Sequence, residues 1–270
     1  MKFYAEGENF VLQYVECFDI SLSLDCGQAF RWVVDGEGVW HGVVKGKELK
    51  IAQQKDKIVL YNTTQEDFEN LWEGYFDLKR DYKSIIDSYD DESLAVACKE
   101  YNGIRILKQD EWEAICSFII SANNNIPRIK GIIERFCENF GEKTGERYSF
   151  PCVDVVARLS VDDLAVIRSG FRAKYIIDAA QKIASGEVDI EKIKKMDFES
   201  AKNELLKIKG VGEKVAQCAL LYGFGRMEAF PVDVWVKRIV SELYPDGLPE
   251  CIKGSEGIAQ QYLFHWRRNV

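Results

Sequence analysis

Residues 198–240 contain the feature that most constrains the fold, a pair of glycines between two runs of helical apolar spacing. The glycines lie in Lys209-Gly210-Val211-Gly212. Two glycines this close favour a tight turn and make a continuous helix costly. We therefore predict a helix, a Gly-Val-Gly hairpin and a second helix. The free N–H groups and the positive dipole end of that second helix, together with Gly210, Val211 and Gly212, would suit a phosphate group.

Two charged residues follow the hairpin at a specific spacing. Lys214 falls in the first turn of the second helix, and Asp233 follows 19 positions later, after Pro231. Proline biases the residue before it away from helix, and Asp233 is well placed to cap an amphipathic helix over residues 234–243. A surface lysine and a simple cap are the ordinary interpretations of either residue alone. The combination at this spacing favours a catalytic pair.

Composition bounds the class of protein. The 270 residues are 47% hydrophobic, and no stretch approaches the roughly 18 apolar residues of a membrane span. Eight cysteines occur without a Cys-x-x-Cys spacing. We therefore expect a globular, cytoplasmic protein with reduced and mostly buried thiols.

The net charge of −8 argues against simple nucleic-acid binding, but its distribution weakens that argument. Residues 1–100 carry 11 basic and 20 acidic side chains, whereas residues 201–240 carry seven basic and four acidic ones. The acidity is thus concentrated away from the hairpin. We expect modest, salt-sensitive affinity for DNA, carried by a few phosphate contacts and helix N-termini.

The hydrophobic pattern changes along the chain and indicates an α+β fold. Residues 1 to about 63 show period-two runs bounded by turns, which predict an antiparallel sheet. The predicted strands cover residues 18–22, 30–34, 39–44, 49–51 and 58–61. From Thr64 the spacing is helical, with predicted helices that include residues 110–122, 161–168, 173–185 and 255–268. A charged break at residues 90–93 places the predicted domain boundary between residues 1–92 and 93–270.

Four further segments have ordinary structural interpretations when each is taken alone. Residues 24–32, LDCGQAFRW, fit a glycine turn that enters a strand, and residues 117–129, SFIISANNNIPRI, fit a turn between helices. Residues 169–175, SGFRAKY, fit a helix entry, and residues 257–264, GIAQQYLF, fit an amphipathic helix. Their occurrence in this order, around the hairpin, is far more specific than any one of them.

Together these segments resemble the 8-oxoguanine DNA glycosylases of the helix-hairpin-helix superfamily, from about Leu22 to Phe264. The chain is similar to prokaryotic members of the eukaryotic-like type. The resemblance implies a TBP-like N-terminal antiparallel sheet domain and an all-α helix-hairpin-helix glycosylase domain, with the helix at 255–268 completing the base pocket. A lysine at position 214 marks the bifunctional members, which also act as apurinic/apyrimidinic lyases.

The resemblance assigns a pocket for the damaged base to four residues. The carbonyl of Gly27 would accept a hydrogen bond from N7–H, which 8-oxoguanine has and guanine lacks. Gln260 would bind the Watson–Crick edge, since a carboxamide both donates and accepts. Phe264 would stack on one face of the base, and Cys218 would pack on the other.

The resemblance assigns other residues to the opposite strand and the backbone. Asn123 would fill the gap left by the flipped base, and Arg128 and Arg172 would contact the orphaned cytosine. Phe171 would be the wedge, where eukaryotic members have Tyr. Trp235 would contact a phosphate, where eukaryotic members have His.

The implied reaction is excision of 8-oxoguanine opposite cytosine through a Schiff base on Lys214, followed by β-elimination. Lys214 must attack as a neutral amine, and Asp233 would stabilise the developing oxocarbenium charge. We expect a monomer that binds double-stranded DNA and lies in the cytoplasm with the nucleoid, with no membrane partner. A glycosylase for oxidised pyrimidines or mismatched adenine, and a non-catalytic DNA-binding module, are the alternatives.

No cofactor is expected from the resemblance. The four-cysteine iron–sulfur cluster of the endonuclease III branch is excluded, because only Cys251 follows Cys218. Whether the hairpin carbonyls bind a structural monovalent or divalent cation stays open.

Overall fold

The computed structural model describes residues 2–269, which form two compact units. The first unit takes in the residues up to Gly42, Leu49–Lys108 and the residues from Met227 onward. The second contains Val43–Glu48 and Gln109–Arg226. These units group residues by proximity in space, and the predicted boundary after residue 92 stays a prediction.

Most strands lie before residue 62 and most helices after it, as the change from a strand-like to a helical hydrophobic period predicts. The strands are β1 (Lys2–Glu6), β2 (Asn9–Gln13), β3 (Val33–Val34), β4 (Trp40–Val44), β5 (Lys47–Gln54), β6 (Lys57–Tyr61), β7 (Lys143–Thr144) and β8 (Arg147–Tyr148). The helices up to residue 140 are α1 (Ile20–Asp25), α2 (Gln65–Asp67), α3 (Glu73–Tyr75), α4 (Tyr82–Asp87), α5 (Glu92–Glu100), α6 (Glu111–Ser121) and α7 (Ile126–Phe140). The later helices are α8 (Val153–Val156), α9 (Ala173–Ala184), α10 (Ile190–Ile193), α11 (Phe198–Leu205), α12 (Glu213–Tyr222), α13 (Val234–Leu243) and α14 (Glu256–Asn269).

Strands β1 to β6 form one six-stranded sheet in the order β1-β2-β6-β5-β4-β3. The pairs β1–β2, β2–β6, β5–β6 and β3–β4 are all antiparallel. The predicted N-terminal antiparallel sheet is therefore confirmed. The central strands β2 and β6 supply part of the core of the first unit, since each has three consecutive buried residues, whereas β1 and β3 have none.

An aromatic cluster forms the centre of that core. Trp32, Trp72 and Phe76 are each no more than 1% exposed, and the Trp32 indole N–H donates to the Tyr75 hydroxyl at 2.7 Å. The buried indole thus has a partner, which removes the cost of burying a polar group.

Local capping signals place most of the helices of the second unit. Asp110 accepts a hydrogen bond from the Glu113 N–H, and α6 begins after it. Asn125 does the same for the Arg128 N–H, and Pro127 lies in the first turn of α7. A cap residue satisfies one of the free donors at a helix start, which is why these boundaries can be read from sequence.

Two of the predicted elements are wrong. Residues 18–22 form no strand; helix α1 begins at Ile20, because the Asp19 carboxylate accepts the Leu22 N–H at 2.8 Å. Ile20 and Leu24, one turn apart, are buried, so the same apolar residues fit a helical spacing. The predicted helix at 161–168 is only a short 3₁₀ turn, Asp163–Ile167, which ends at Arg168 in the left-handed region.

We predict that Gly42→Ala destabilises the protein by about 1–3 kcal/mol. A Cβ at Gly42 would lie 2.5 Å from the ring of the buried Trp32, so the aromatic core would have to shift. The midpoint of urea unfolding measures the change. Gly36→Ala is the matched control, since nothing lies within 4 Å of its added Cβ. Equal shifts for the two variants would contradict the prediction.

Candidate nucleic-acid and catalytic site

The hairpin of the second unit has the predicted form. Helix α11 ends at Leu205 and α12 begins after Gly212, which takes the N-cap position. Gly210 has a φ of +84°, and a Cβ there would lie 2.4 Å from the ring of Tyr175. The turn therefore requires glycine for two reasons, its backbone conformation and its close approach to the ring.

Lys214 lies in the first turn of α12 with a half-buried side chain. Its Nζ is 3.4 Å from the Ser121 hydroxyl and 5.2 Å from the centre of the Phe118 ring. The ring excludes water from one side of the amine. The lysine is thus held against α6, at the positive end of a helix dipole, and both features distinguish it from an ordinary surface lysine.

The asparagine loop between α6 and α7 is held by a buried arginine. Arg172 is 3% exposed, and its guanidinium donates to the carbonyls of Ala122, Asn123 and Ser169. Asn123 has a φ of +50°, a left-handed conformation that asparagine tolerates better than most residues. Burial and the nearby charge of Arg128 lower the pKa of the Arg172 guanidinium.

Phe171 is an exposed aromatic next to that arginine. Its side chain is 56% exposed, and the Arg172 guanidinium lies 4.5 Å from the ring centre. Arg128 is also exposed, in the first turn of α7. The second unit thus presents an aromatic and a planar cation beside a fixed asparagine loop.

In the first unit, Gly27 lies just after α1 with a φ of +91°. The following residue, Gln28, is fully buried. Its carboxamide donates to the carbonyls of Ser23 and Arg105 and accepts from the Leu107 N–H at 2.9 Å. This side chain therefore joins the backbone just before Gly27 to the backbone at residues 105 and 107. The sequence motif contained Gln28, but little in the local sequence indicated its role, because two of its three backbone partners lie more than 70 residues away.

Helix α14 contributes two more of the residues predicted for the base pocket, Gln260 and Phe264. Gln260 is 5% exposed, and its Oε1 has no hydrogen-bond partner within the described residues. Phe264, one turn later, is half-buried. The neighbouring Gln261 donates to the Cys26 carbonyl at 3.3 Å, which ties α14 to the residue before Gly27. An unpaired buried acceptor is costly, which is typical of a side chain reserved for a ligand.

Asp233 caps α13, as the proline corner predicts. Its Oδ1 accepts the Val236 N–H at 2.8 Å. Trp235 is 45% exposed and lies 5.4 Å from the Arg238 guanidinium, so its indole is available at the surface.

The two units divide the predicted residues between them. The second unit brings together Asn123, Arg128, Phe171, Arg172, Gly210, Val211, Gly212, Lys214 and Cys218. The first contains Gly27, Asp233, Trp235, Gln260 and Phe264. The roles of these residues stay predictions.

The thiols fit the expectation from composition. The thiols of Cys26, Cys98, Cys116, Cys137 and Cys218 are buried, and these five residues form no disulfide bond. Burial raises the pKa of the Cys26 thiol to about 12, so this thiol stays protonated. Within residues 2–269, no group of three or more His, Cys, Asp or Glu side chains is arranged to hold a metal ion. Among the same residues, no helix has the length and apolar content needed to cross a bilayer.

Known protein families match both parts of this architecture. Residues 11–115 match the family described as 8-oxoguanine DNA glycosylase, N-terminal domain, and residues 116–248 match the HhH-GPD superfamily of base excision DNA repair proteins. The fold and the hairpin thus define a DNA glycosylase of the helix-hairpin-helix class.

Individual relatives are more specific. The chain is 33% identical to a probable N-glycosylase/DNA lyase of Methanothermobacter thermautotrophicus, over 84% of this chain and 83% of the relative. It is 32% identical to the N-glycosylase/DNA lyase of Saccharomyces cerevisiae, over 82% and 67%. The Clostridium acetobutylicum 8-oxoguanine glycosylase/lyase, solved with double-stranded DNA that has cytosine opposite 8-oxoguanine, superposes with a TM-score of 0.94 at 37% identity. That alignment covers 100% of this chain and 98% of the Clostridium chain. The chain belongs to the 8-oxoguanine DNA glycosylase/lyase family.

We predict that Gln28→Met destabilises the protein by about 2–4 kcal/mol, because buried backbone groups would lose their partners. Chemical denaturation measures the loss. Gln13→Met is the control. The Gln13 side chain donates a solvent-exposed hydrogen bond to Asp56, and loss of this bond should cost less than about 0.5 kcal/mol. A loss of less than about 0.5 kcal/mol for Gln28→Met as well would refute the proposal that Gln28 holds the backbone in place.

Proposed function

We propose that this chain excises 8-oxoguanine from DNA, preferably opposite cytosine, and then nicks the abasic strand. The observation that carries this proposal is the position of Lys214, directly after a phosphate-binding type of hairpin and packed against Phe118. Family membership supports the reaction, and the unpaired Gln260 oxygen supports a base pocket.

Lys214 acts as the nucleophile. Its neutral amine attacks C1′ of the sugar. The C–N glycosidic bond breaks, and the electron pair of that bond leaves with the base. The amine loses a proton and the sugar ring opens, which leaves a Schiff base. Loss of a proton from C2′ then expels the 3′ phosphate by β-elimination.

Asp233 stabilises positive charge as it develops on the sugar. One carboxylate oxygen is already fixed by the Val236 N–H. Its other oxygen makes no hydrogen bond within the described part of the chain, so it can face a cationic sugar. Because the cap fixes the rotamer, the carboxylate is preorganised for this charge.

We propose that Gly27, Cys218, Gln260 and Phe264 bind the damaged base. The buried Gln260 oxygen would accept a hydrogen bond from the guanine-type edge, and the half-buried Phe264 would stack on the ring. The backbone at Gly27, held by Gln28, would accept the N7–H of the lesion. A rigid acceptor at that point would reject guanine, because two acceptors would face each other without a hydrogen.

The remaining predicted residues contact the rest of the duplex. The exposed ring of Phe171 would insert into the opened stack, while Asn123, Arg128 and Arg172 would contact the strand opposite the lesion. In this structure Arg172 already bonds three carbonyls, so contact with cytosine would use its remaining N–H or a rearranged side chain. Gly210, Val211, Gly212 and Trp235 would bind phosphates.

The partner is therefore double-stranded DNA that contains 8-oxoguanine. We propose that the protein works as a monomer in the cytoplasm, on nucleoid DNA, without a catalytic cofactor or membrane partner. A structural cation at the hairpin carbonyls is compatible with this reaction and takes no part in it.

We predict that borohydride traps a covalent adduct between the protein and an 8-oxoguanine duplex, and that Lys214→Gln abolishes it. Gel mobility of labelled DNA measures the adduct. Lys207→Gln is the matched control, because its Nζ is occupied by the nearby Glu204 and its adduct should persist. No adduct with the intact protein would favour a non-catalytic DNA-binding module. An adduct only with oxidised pyrimidines would favour another glycosylase.

We predict that Gln260→Leu separates base recognition from strand cleavage. Excision of 8-oxoguanine should fall about 10- to 100-fold, because one or two hydrogen bonds to the base are lost. Nicking of a preformed abasic site should change less than about threefold, since that step needs Lys214 but no base. Single-turnover assays on both substrates give the comparison. Equal losses would place Gln260 outside the base pocket.

A further inference from the structure

Helix α9 presents one face to the hairpin turn. Tyr175, Asp178 and Lys182 are three and four residues apart, so they share that face. Each contacts a different part of the turn: the Tyr175 ring lies against Gly210, Asp178 accepts the Lys209 N–H at 2.8 Å, and Lys182 donates to the Lys207 carbonyl. A ring, an acceptor and a donor from one helix thus hold three of the four residues 207–210.

Asp178 is the central contact of this face. Its side chain is 13% exposed, and its second oxygen lies 3.4 Å from the Lys209 ammonium. Lys182 lies 3.7 Å away, one helical turn later. Because Lys209 immediately precedes Gly210, the direction of its N–H sets the peptide plane that enters the turn. The orientation of that peptide plane then determines where the free backbone N–H groups at the start of α12 point.

The same helix continues to the proposed wedge. The Tyr175 ring lies 6.1 Å from the ring of Phe171 in an edge-on arrangement, and Arg172 packs on Phe171 while donating to the Asn123 carbonyl. The hairpin, the wedge and the asparagine loop are therefore connected by direct contacts. Rigid contacts of this kind fix the distance between a phosphate and the opened base step.

We propose that Asp178 is a positioning residue for DNA binding, which orients the hairpin donors and, through α9, sets their spacing from Phe171. This inference rests on the proposed DNA binding by the hairpin. A simple charge argument gives the opposite expectation, because an acid beside a phosphate site repels DNA. Removing Asp178 should then tighten binding, whereas a positioning role means that its removal weakens binding.

The test measures the affinity of the full-length protein for a duplex that contains a tetrahydrofuran abasic analogue, by fluorescence anisotropy at fixed salt. Asp178→Ala should raise Kd roughly three- to tenfold, the value of one hydrogen bond. Asp178→Asn keeps an acceptor and loses the charge, so it should bind as tightly as the wild type or more tightly. The single-turnover rate at saturating protein should stay within about twofold for both.

Asp189→Ala is the matched control. This substitution also removes one acid and one side chain–backbone hydrogen bond. The bond it removes caps α10 instead of holding the hairpin. Its binding should not weaken. Circular dichroism confirms that each variant is folded, and amide hydrogen exchange gives an independent measure: the Lys209 N–H should exchange slowly in the wild type and in Asp178→Asn.

Three results would overturn the inference: unchanged or tighter binding by Asp178→Ala, equal weakening by Asp178→Asn, or fast exchange of the Lys209 N–H in the wild type. Failure of the wild type to bind the duplex would instead refute the proposed function. The two failures are therefore distinguishable.

Discussion

The contact between the Gly210 backbone and the Tyr175 ring is the constraint on which the second unit depends most. Any side chain at Gly210 would enter the ring, and the φ of +84° already disfavours other residues. This turn sets where α11 stops and where α12 starts. It therefore also determines where Lys214 points, because that lysine lies in the first turn after the hairpin. The position of the proposed nucleophile is thus decided by a residue with no side chain.

The irregular segments of both units are stabilised in one way, by polar side chains from elsewhere in the chain. Gln28 satisfies three backbone groups around Gly27, Arg172 binds the carbonyls of the asparagine loop, and Asp178 binds the hairpin. Loops without regular hydrogen bonds would otherwise be mobile or would leave buried groups unpaired. Such bracing holds functional backbone in one geometry before any ligand arrives, which lowers the entropy cost of binding.

Local signals made much of this architecture predictable from sequence. Caps at Asp110, Asn125 and Asp233 and the double glycine each act within a few residues, so their effects can be read directly. The order of motifs indicated the family, which the family matches confirm. The prediction of a strand at residues 18–22 was wrong because their apolar spacing fits both a strand and a helix, and the Asp19 cap starts a helix. Gln28 and Asp178 gave no signal, since they bind backbone groups that lie 31 to 79 residues away in sequence. The individual site roles stay predictions.

The composition of the first unit has a consequence for biosynthesis. Its segments are separated in sequence, and the bond from Gln261 to the Cys26 carbonyl joins residues 235 positions apart. Most of the second unit is the continuous stretch Gln109–Arg226. During synthesis from the N-terminus, the hairpin unit can therefore fold on the ribosome while the first unit still lacks α13 and α14. A nascent chain would acquire the proposed DNA anchor and nucleophile before Gln260 is available, and helix α5 would stay uncovered until α14, which packs against it, emerges.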